Sequence, residues 1–175
     1  MKRNIIAGLL LLGLPTARAG AAELFGGVYV HDVKLPTDLS GIEGGSDVML
    51  GVRGGVIAKP FGVALQPYAF GALNPAGRTN YAAVGLSARF GLGRSVYLRP
   101  GVGIAVHDGS AGRFFRTDKI AFGSRVLFEP ELGLGARIND RLSAEASWVH
   151  MSHAQLRGRE NPGIDNLGVR LNLAL

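Results

Sequence analysis

Three side chains near the end of this chain have the chemistry of acyl transfer: the Ser152 hydroxyl, the His150 imidazole and the Asp165 carboxylate. A serine is a weak nucleophile until a base takes its proton, and an imidazole oriented by an acid can do so near neutral pH. In an extended chain, positions i and i+2 lie on one face with α-carbons about 6.5–7 Å apart, so His150 and Ser152 can lean into hydrogen-bonding contact. Asp165 must then arrive from a neighbouring antiparallel strand. The reaction also needs donors for the developing oxyanion. The backbone N–H groups around His153 to Gln155, where the strand runs into a loop, are candidates, as is the His153 side chain.

The elements that must position these groups read as strands. Over residues 142–152 one face carries Leu142, Ala144, Ala146, Trp148, His150 and Ser152, and the other carries Ser143, Glu145, Ser147 and Val149. In the last strand Asp165 falls with Leu167, Val169, Leu171, Leu173 and Leu175, opposite Asn166, Gly168, Arg170, Asn172 and Ala174. A nucleophile, a base and an acid thus converge on an apolar, tryptophan-bearing surface, which suits a lipid substrate.

The same period-2 alternation recurs along the chain, broken by Gly, Pro, Asn and Asp clusters. Segments at about 23–31, 46–57, 62–73, 80–91, 95–106, 121–137, 141–153 and 164–175 give eight strands. Val48, Leu50, Val52, Val102, Ile104, Phe122, Val126, Phe128, Leu132 and Leu134 mark apolar faces. The opposite faces hold small residues with scattered charge. Arg125, Glu129, Glu131 and Arg137 are candidates for interior pairs, with Arg53, Arg89 and Arg99 as partners. Short connectors (58–61, 92–94, 138–140) alternate with longer ones (32–45, 107–120, 154–163) and an intermediate one (74–79). This is the pattern of an all-β fold, an eight-stranded antiparallel transmembrane β-barrel of the outer membrane, with apolar faces to lipid and a narrow polar lumen. The soluble alternative is a small lipocalin-like barrel. The terminal Leu175 departs from the aromatic residue that ends many outer-membrane barrels.

Of 175 residues, 47% are hydrophobic and 18% charged, with 27 Gly and no Cys, so disulfides, zinc–thiolate sites and cysteine catalysis are excluded. Lys2 and Arg3, an apolar run over residues 5–14, Pro15 and small residues up to Ala22 form a secretory signal pattern, too short for a membrane-spanning helix. Cleavage after Ala22 leaves residues 23–175 as the barrel domain, reached through a signal peptide of residues 1–22. Loss of Lys2, Arg3 and Arg18 takes the net charge from +6 to +3, which argues against nucleic-acid binding.

Trp148, His150, Ser152, His153 and Ala154, followed by Asn161, Gly163 and Asp165, resemble the PagL-type lipid A 3-O-deacylases, also called acyloxyacyl hydrolases. The family pattern is His-x-Ser-Asn-Ala and then, about a dozen residues later, Asn-x-Gly-x-acid. Phe128-Glu129 with Gly133 and Gly135 resembles the preceding strand, and the likeness is strongest over 121–175. It implies a bacterial outer-membrane barrel whose outer surface bears a Ser-His-acid triad removing the acyl chain esterified at position 3 of lipid A. The chain departs from the pattern twice. Asp165 stands where the family usually has Glu, and His153 where it has an Asn assigned to the oxyanion hole.

Arg113, Arg116 and Lys119 in one loop, and Arg157 and Arg159 in another, could pair with lipid A phosphates, and Trp148 could contact the substrate. His31 and His107 stand at strand ends with no companion set of carboxylates. No metal-binding or nucleotide-binding pattern occurs, so no cofactor is implied. The expected partners are lipopolysaccharide as substrate and outer-membrane lipid, with oligomeric state open and a homodimer among the options. The rival functions are a phospholipase or acyltransferase using the same triad, and a non-enzymatic structural or adhesive barrel.

Overall fold

Successive residues of each strand fall alternately on an exposed apolar face and a buried polar one, the inverse of a water-soluble barrel. The computed structural model describes residues 21–35, 41–112, 120–154, 156 and 162–175. Its strands are β1 (Glu23–Val30), β2 (Ser46–Arg53), β3 (Leu65–Leu73), β4 (Tyr81–Ala88, resuming at Phe90–Gly91), β5 (Val96–His107), β6 (Val126–Arg137), β7 (Leu142–Met151) and β8 (Ile164–Ala174). Each pairs antiparallel with its sequence neighbour, and β1 pairs with β8 to close the barrel. Val28, Leu50, Val52, Val102, Ile104, Val169 and Leu171 point outward and are exposed, as a hydrocarbon solvent requires.

Inside, six charges form a closed ring of alternating sign. Arg170 meets Glu145 (2.5 Å) and Glu131 (2.7 Å); Arg99 meets Glu145 (2.9 Å) and Glu23 (3.1 Å); Arg53 meets Glu23 (2.7 Å) and, more loosely, Glu131 (3.7 Å). The ring draws on β8, β7, β5, β1, β2 and β6. Two carboxylates for each guanidinium offset the desolvation of charges that have left water. Small residues make room for the large ones: a β-carbon on Gly135 would collide with the Tyr97 ring.

The expectation for the interior holds for Arg53, Arg99, Glu129 and Glu131, and Arg89 reaches Glu23 at 3.8 Å. It fails for two arginines. Arg125 precedes β6 and donates to the carbonyls of Gly109 (2.7 Å) and His107 (3.3 Å), while Arg137 ends β6 exposed at the opposite rim. Phe122, expected on the lipid face, is buried against the His107 ring because β6 begins only at Val126.

At the end bearing the longer loops, Ile120, Phe122, Leu127, Val149, Met151 and Ile164 plug the lumen. Beneath them His31 does have companion carboxylates, contrary to the sequence reading: Asp47 lies 2.9 Å from Nδ1 and Glu43 3.0 Å from Nε2. Glu43 also accepts the backbone N–H groups of Thr79 (2.9 Å) and Ile120 (3.1 Å), so one carboxylate joins three loops. The carboxylate of Asp32 accepts the N–H groups of Gly41, Ile42 and Glu43. The contacts among residues 31–47 belong to the β1–β2 hairpin, whereas Thr79 and Ile120 reach Glu43 from loops distant in sequence.

Candidate active site

Register places the base beside the acid. β7 and β8 pair so that His150 lies directly across from Asp165, both on the outward parity of their strands. On the other side, β6 pairs with β7 from Glu131–Val149 onward, and an isolated bridge joins Phe128 to Ser152. That register sets Pro130 opposite His150. A proline has no N–H to give the ladder, so pairing lapses there and resumes at Ser152, whose N–H and carbonyl both bond Phe128 (3.1 and 2.8 Å). The serine backbone is thereby fixed one residue past β7.

The three side chains form one continuous chain of contacts. His150 Nδ1 lies 3.0 Å from Asp165 Oδ1, and His150 Nε2 lies 3.0 Å from Ser152 Oγ. Trp148 stacks on the His150 ring, centroids 5.8 Å apart and planes 24° apart, and its indole N–H donates to the same Asp165 oxygen at 2.7 Å. Asp165 is fully buried and Ser152 nearly so, whereas the His150 side chain keeps 15% of its surface. The segment before β8 also lies close to the imidazole: a β-carbon on Gly163 would stand 2.7 Å from His150 Cε1. The backbone behind Asp165 is tied down as well: its carbonyl accepts Val33 N–H (2.6 Å), and the next residue, Asn166, accepts Asp32 N–H (2.9 Å) and donates to Tyr81 (2.7 Å).

Immediately after Ser152 the chain turns. Ala154 has φ of 51°, a left-handed conformation uncommon for a residue with a β-carbon, and Leu156 N–H closes the turn on the His153 carbonyl (3.0 Å). His153 is 5% exposed, and among the described residues nothing bonds its Nδ1. It lines a groove of ≈ 230 Å³ on the lipid-facing wall together with Ile104, Val126, Phe128 and Leu156. The outward parity of Ile104, Val126 and Phe128 is visible in the sequence. Their meeting beside Ser152 is not, because it depends on the pairing of β5, β6 and β7.

The structure therefore brings Ser152, His150 and Asp165 together, with His153 adjacent. Trp148 contacts the acid and the imidazole. Gln155, Arg113, Arg116, Arg157 and Arg159 lie outside the described residues, as does Lys119. A polar Ser–His–Asp chain with an apolar groove alongside is an arrangement that can transfer an acyl group from a lipid ester.

A family model described as Lipid A 3-O-deacylase (PagL) matches residues 51–174. Among solved structures, the outer membrane enzyme PagL aligns with a TM-score of 0.64 at 16% identity, covering 87% of this chain and 99% of that one. A de novo designed transmembrane β-barrel aligns at 0.54 with 9% identity, covering 91% of this chain and 99% of its own. Neisserial surface protein A aligns at 0.53 with 11% identity, covering 90% of this chain and 98% of its own. These likenesses share the closed barrel. No curated protein matches the chain.

Proposed function

The chain belongs to the PagL family of lipid A 3-O-deacylases, and from that premise we propose that it is an outer-membrane serine esterase in which Ser152, His150 and Asp165 hydrolyse the 3-O-linked acyl ester of lipid A. The observation that carries this reading is the unbroken Asp165–His150–Ser152 contact chain, 3.0 Å at each link, on the lipid-facing side of two adjacent strands.

With Nδ1 protonated toward Asp165, His150 Nε2 takes the Ser152 proton as Oγ attacks the ester carbonyl. Negative charge gathers on the carbonyl oxygen, and the N–H groups of the turn after Ser152, with the His153 imidazole, are its donors; Gln155 is the further candidate. Collapse breaks the ester, and His150 returns the proton to the departing sugar oxygen, leaving a free 3-hydroxyl and an acyl-Ser152. Water, deprotonated by His150, then cleaves the acyl-enzyme and releases the fatty acid. The groove along Ile104, Val126, Phe128 and Leu156 receives the acyl chain from the membrane side. The arginines at 113, 116, 157 and 159 engage the lipid A phosphates. The first 22 residues serve as the export signal, and the remaining 23–175 form the barrel.

Purified protein incubated with lipopolysaccharide should yield lipid A lighter by one hydroxyacyl chain, read by mass spectrometry. Ser152→Ala should fold, migrate as a closed barrel on unheated gels and release no fatty acid. Equal release by the variant, or release from glycerophospholipid alone, would overturn the assignment.

A further inference from the structure

A carboxylate on the outer wall of a membrane barrel is in an unfavourable place, because hydrocarbon offers no hydrogen-bond donors and penalises the charge. Asp165 is fully buried there. His150 reaches it through Nδ1, and the Trp148 indole N–H reaches the same oxygen at the shorter distance, 2.7 against 3.0 Å. The indole also covers one face of the imidazole. Trp148 is diagonal to Asp165 across the β7–β8 ladder, where Trp148 opposes Leu167 and His150 opposes Asp165. A long aromatic side chain can span that diagonal. No other residue type combines that reach with a single N–H donor and an apolar body suited to lipid.

We infer that Trp148 is a positioning residue for the reaction: its indole N–H holds the Asp165 carboxylate ionised and aimed at His150 within the membrane, and the tryptophan acts through Asp165 and not on the substrate. The inference rests on the Ser152–His150–Asp165 reading. The indole N–H bonds a carboxylate oxygen more strongly than the oxygen of a neutral acid, so it favours the carboxylate form that the imidazolium needs as its partner. The shared oxygen also fixes the acid's rotamer, so the imidazole is met at one angle.

Trp148→Phe keeps an aromatic ring beside the imidazole and loses the N–H, together with part of the indole's area. It should lower kcat about tenfold with KM within about twofold, as removal of one hydrogen bond to a charged group predicts. The acid limb of its kcat/KM profile should move to higher pH, because the charge no longer shared with the indole favours the protonated imidazole. In an Asp165→Asn background the same substitution should change kcat less than about twofold, since the acid through which it acts has gone. The chain's only tryptophan gives one indole N–H resonance, which should move upfield in Asp165→Asn. A raised KM with an unmoved pH profile, or an equal loss in both backgrounds, would make Trp148 a substrate contact and overturn the inference. Ser152→Ala separates the two levels. If it remains active, the triad reading falls and the inference with it; if it is inactive while Trp148→Phe behaves as wild type, only the inference falls.

Discussion

Gly163 lies against the His150 ring so closely that a β-carbon at 163 would stand 2.7 Å from Cε1 and 3.4 Å from Nε2. The residue before β8 thus sets where the imidazole can sit. Gly163→Ala should push the ring off the line between Asp165 and Ser152. Misplacement by about 1 Å costs on the order of a hundredfold in rate, so fatty-acid release should fall tenfold to a hundredfold in protein that still migrates as a closed barrel. Retention of more than half the activity would show that the ring has room to yield.

Asp165→Asn preserves size but offers His150 an amide that can turn its N–H₂ toward Nδ1, favouring the tautomer that cannot take the Ser152 proton. Loss of about 10³–10⁴ in kcat is expected, as for an acid whose role is to set tautomer and stabilise the imidazolium. Asp165→Glu, which restores the residue more usual in the family, should recover part of that loss. Its longer side chain must fit a site with no free surface. Release rates from lipopolysaccharide for the two variants, measured side by side, check the ordering.

Parity made much of this legible from sequence. Ser152, His150 and Asp165 share the outward parity of their strands, and a period of two is enough to say so without knowing the fold. What parity cannot give is which strands become neighbours around the closed barrel. Arg170 and Glu145 sit visibly on polar faces, yet their joining with Arg99, Glu23, Arg53 and Glu131 needs six strands to converge. Arg125 misled because it precedes β6, where alternation no longer governs direction. The His31 cluster escaped notice for a related reason: Glu43 lies in a loop, and its partners come from the start of that loop and from two others.

Arg170 carries two links of the charged ring, to Glu131 and Glu145, and both carboxylates are fully enclosed. Arg170→Met fills similar volume and removes the cation shared by those two acids, leaving Glu145 with Arg99 and Glu131 with the looser Arg53 contact. Breaking a buried pair from one side costs about 3–5 kcal/mol. The midpoint for urea unfolding in lipid vesicles should drop accordingly. A triple variant, Arg170→Met with Glu131→Gln and Glu145→Gln, should recover part of it by removing the stranded charge. A single variant as stable as wild type would mean that lumen water replaces the guanidinium.

The His31 cluster couples the loops to the site and gives it a pH window. Burial opposes charge on His31, but the hydrogen bonds to Asp47 and Glu43 outweigh it and raise its pKa from 6.5 to about 9. Burial likewise opposes charge on Glu43, yet the bonds from His31, Thr79 and Ile120 bring it down from 4.5 to about 2. A raised histidine stabilises fully below pH 6.5, and its contribution fades as pH climbs through 9. A depressed carboxylate stabilises fully above 4.5 and fades toward 2. The cluster is therefore strongest between about pH 4.5 and 6.5, and the alkaline loss amounts to on the order of 3 kcal/mol. His31 is followed by Asp32 and Val33, whose N–H groups bond Asn166 and the Asp165 carbonyl. Loosening this segment at high pH should thus free the backbone that holds the acid. Tryptic cleavage after Lys34, normalised to a reporter peptide, should accelerate from pH 7 to 9.5 while fatty-acid release declines in step. His31→Gln should cleave fast already at pH 7 and show no further rise. Cleavage that stays flat in the wild-type protein across that range would uncouple the cluster from the loop.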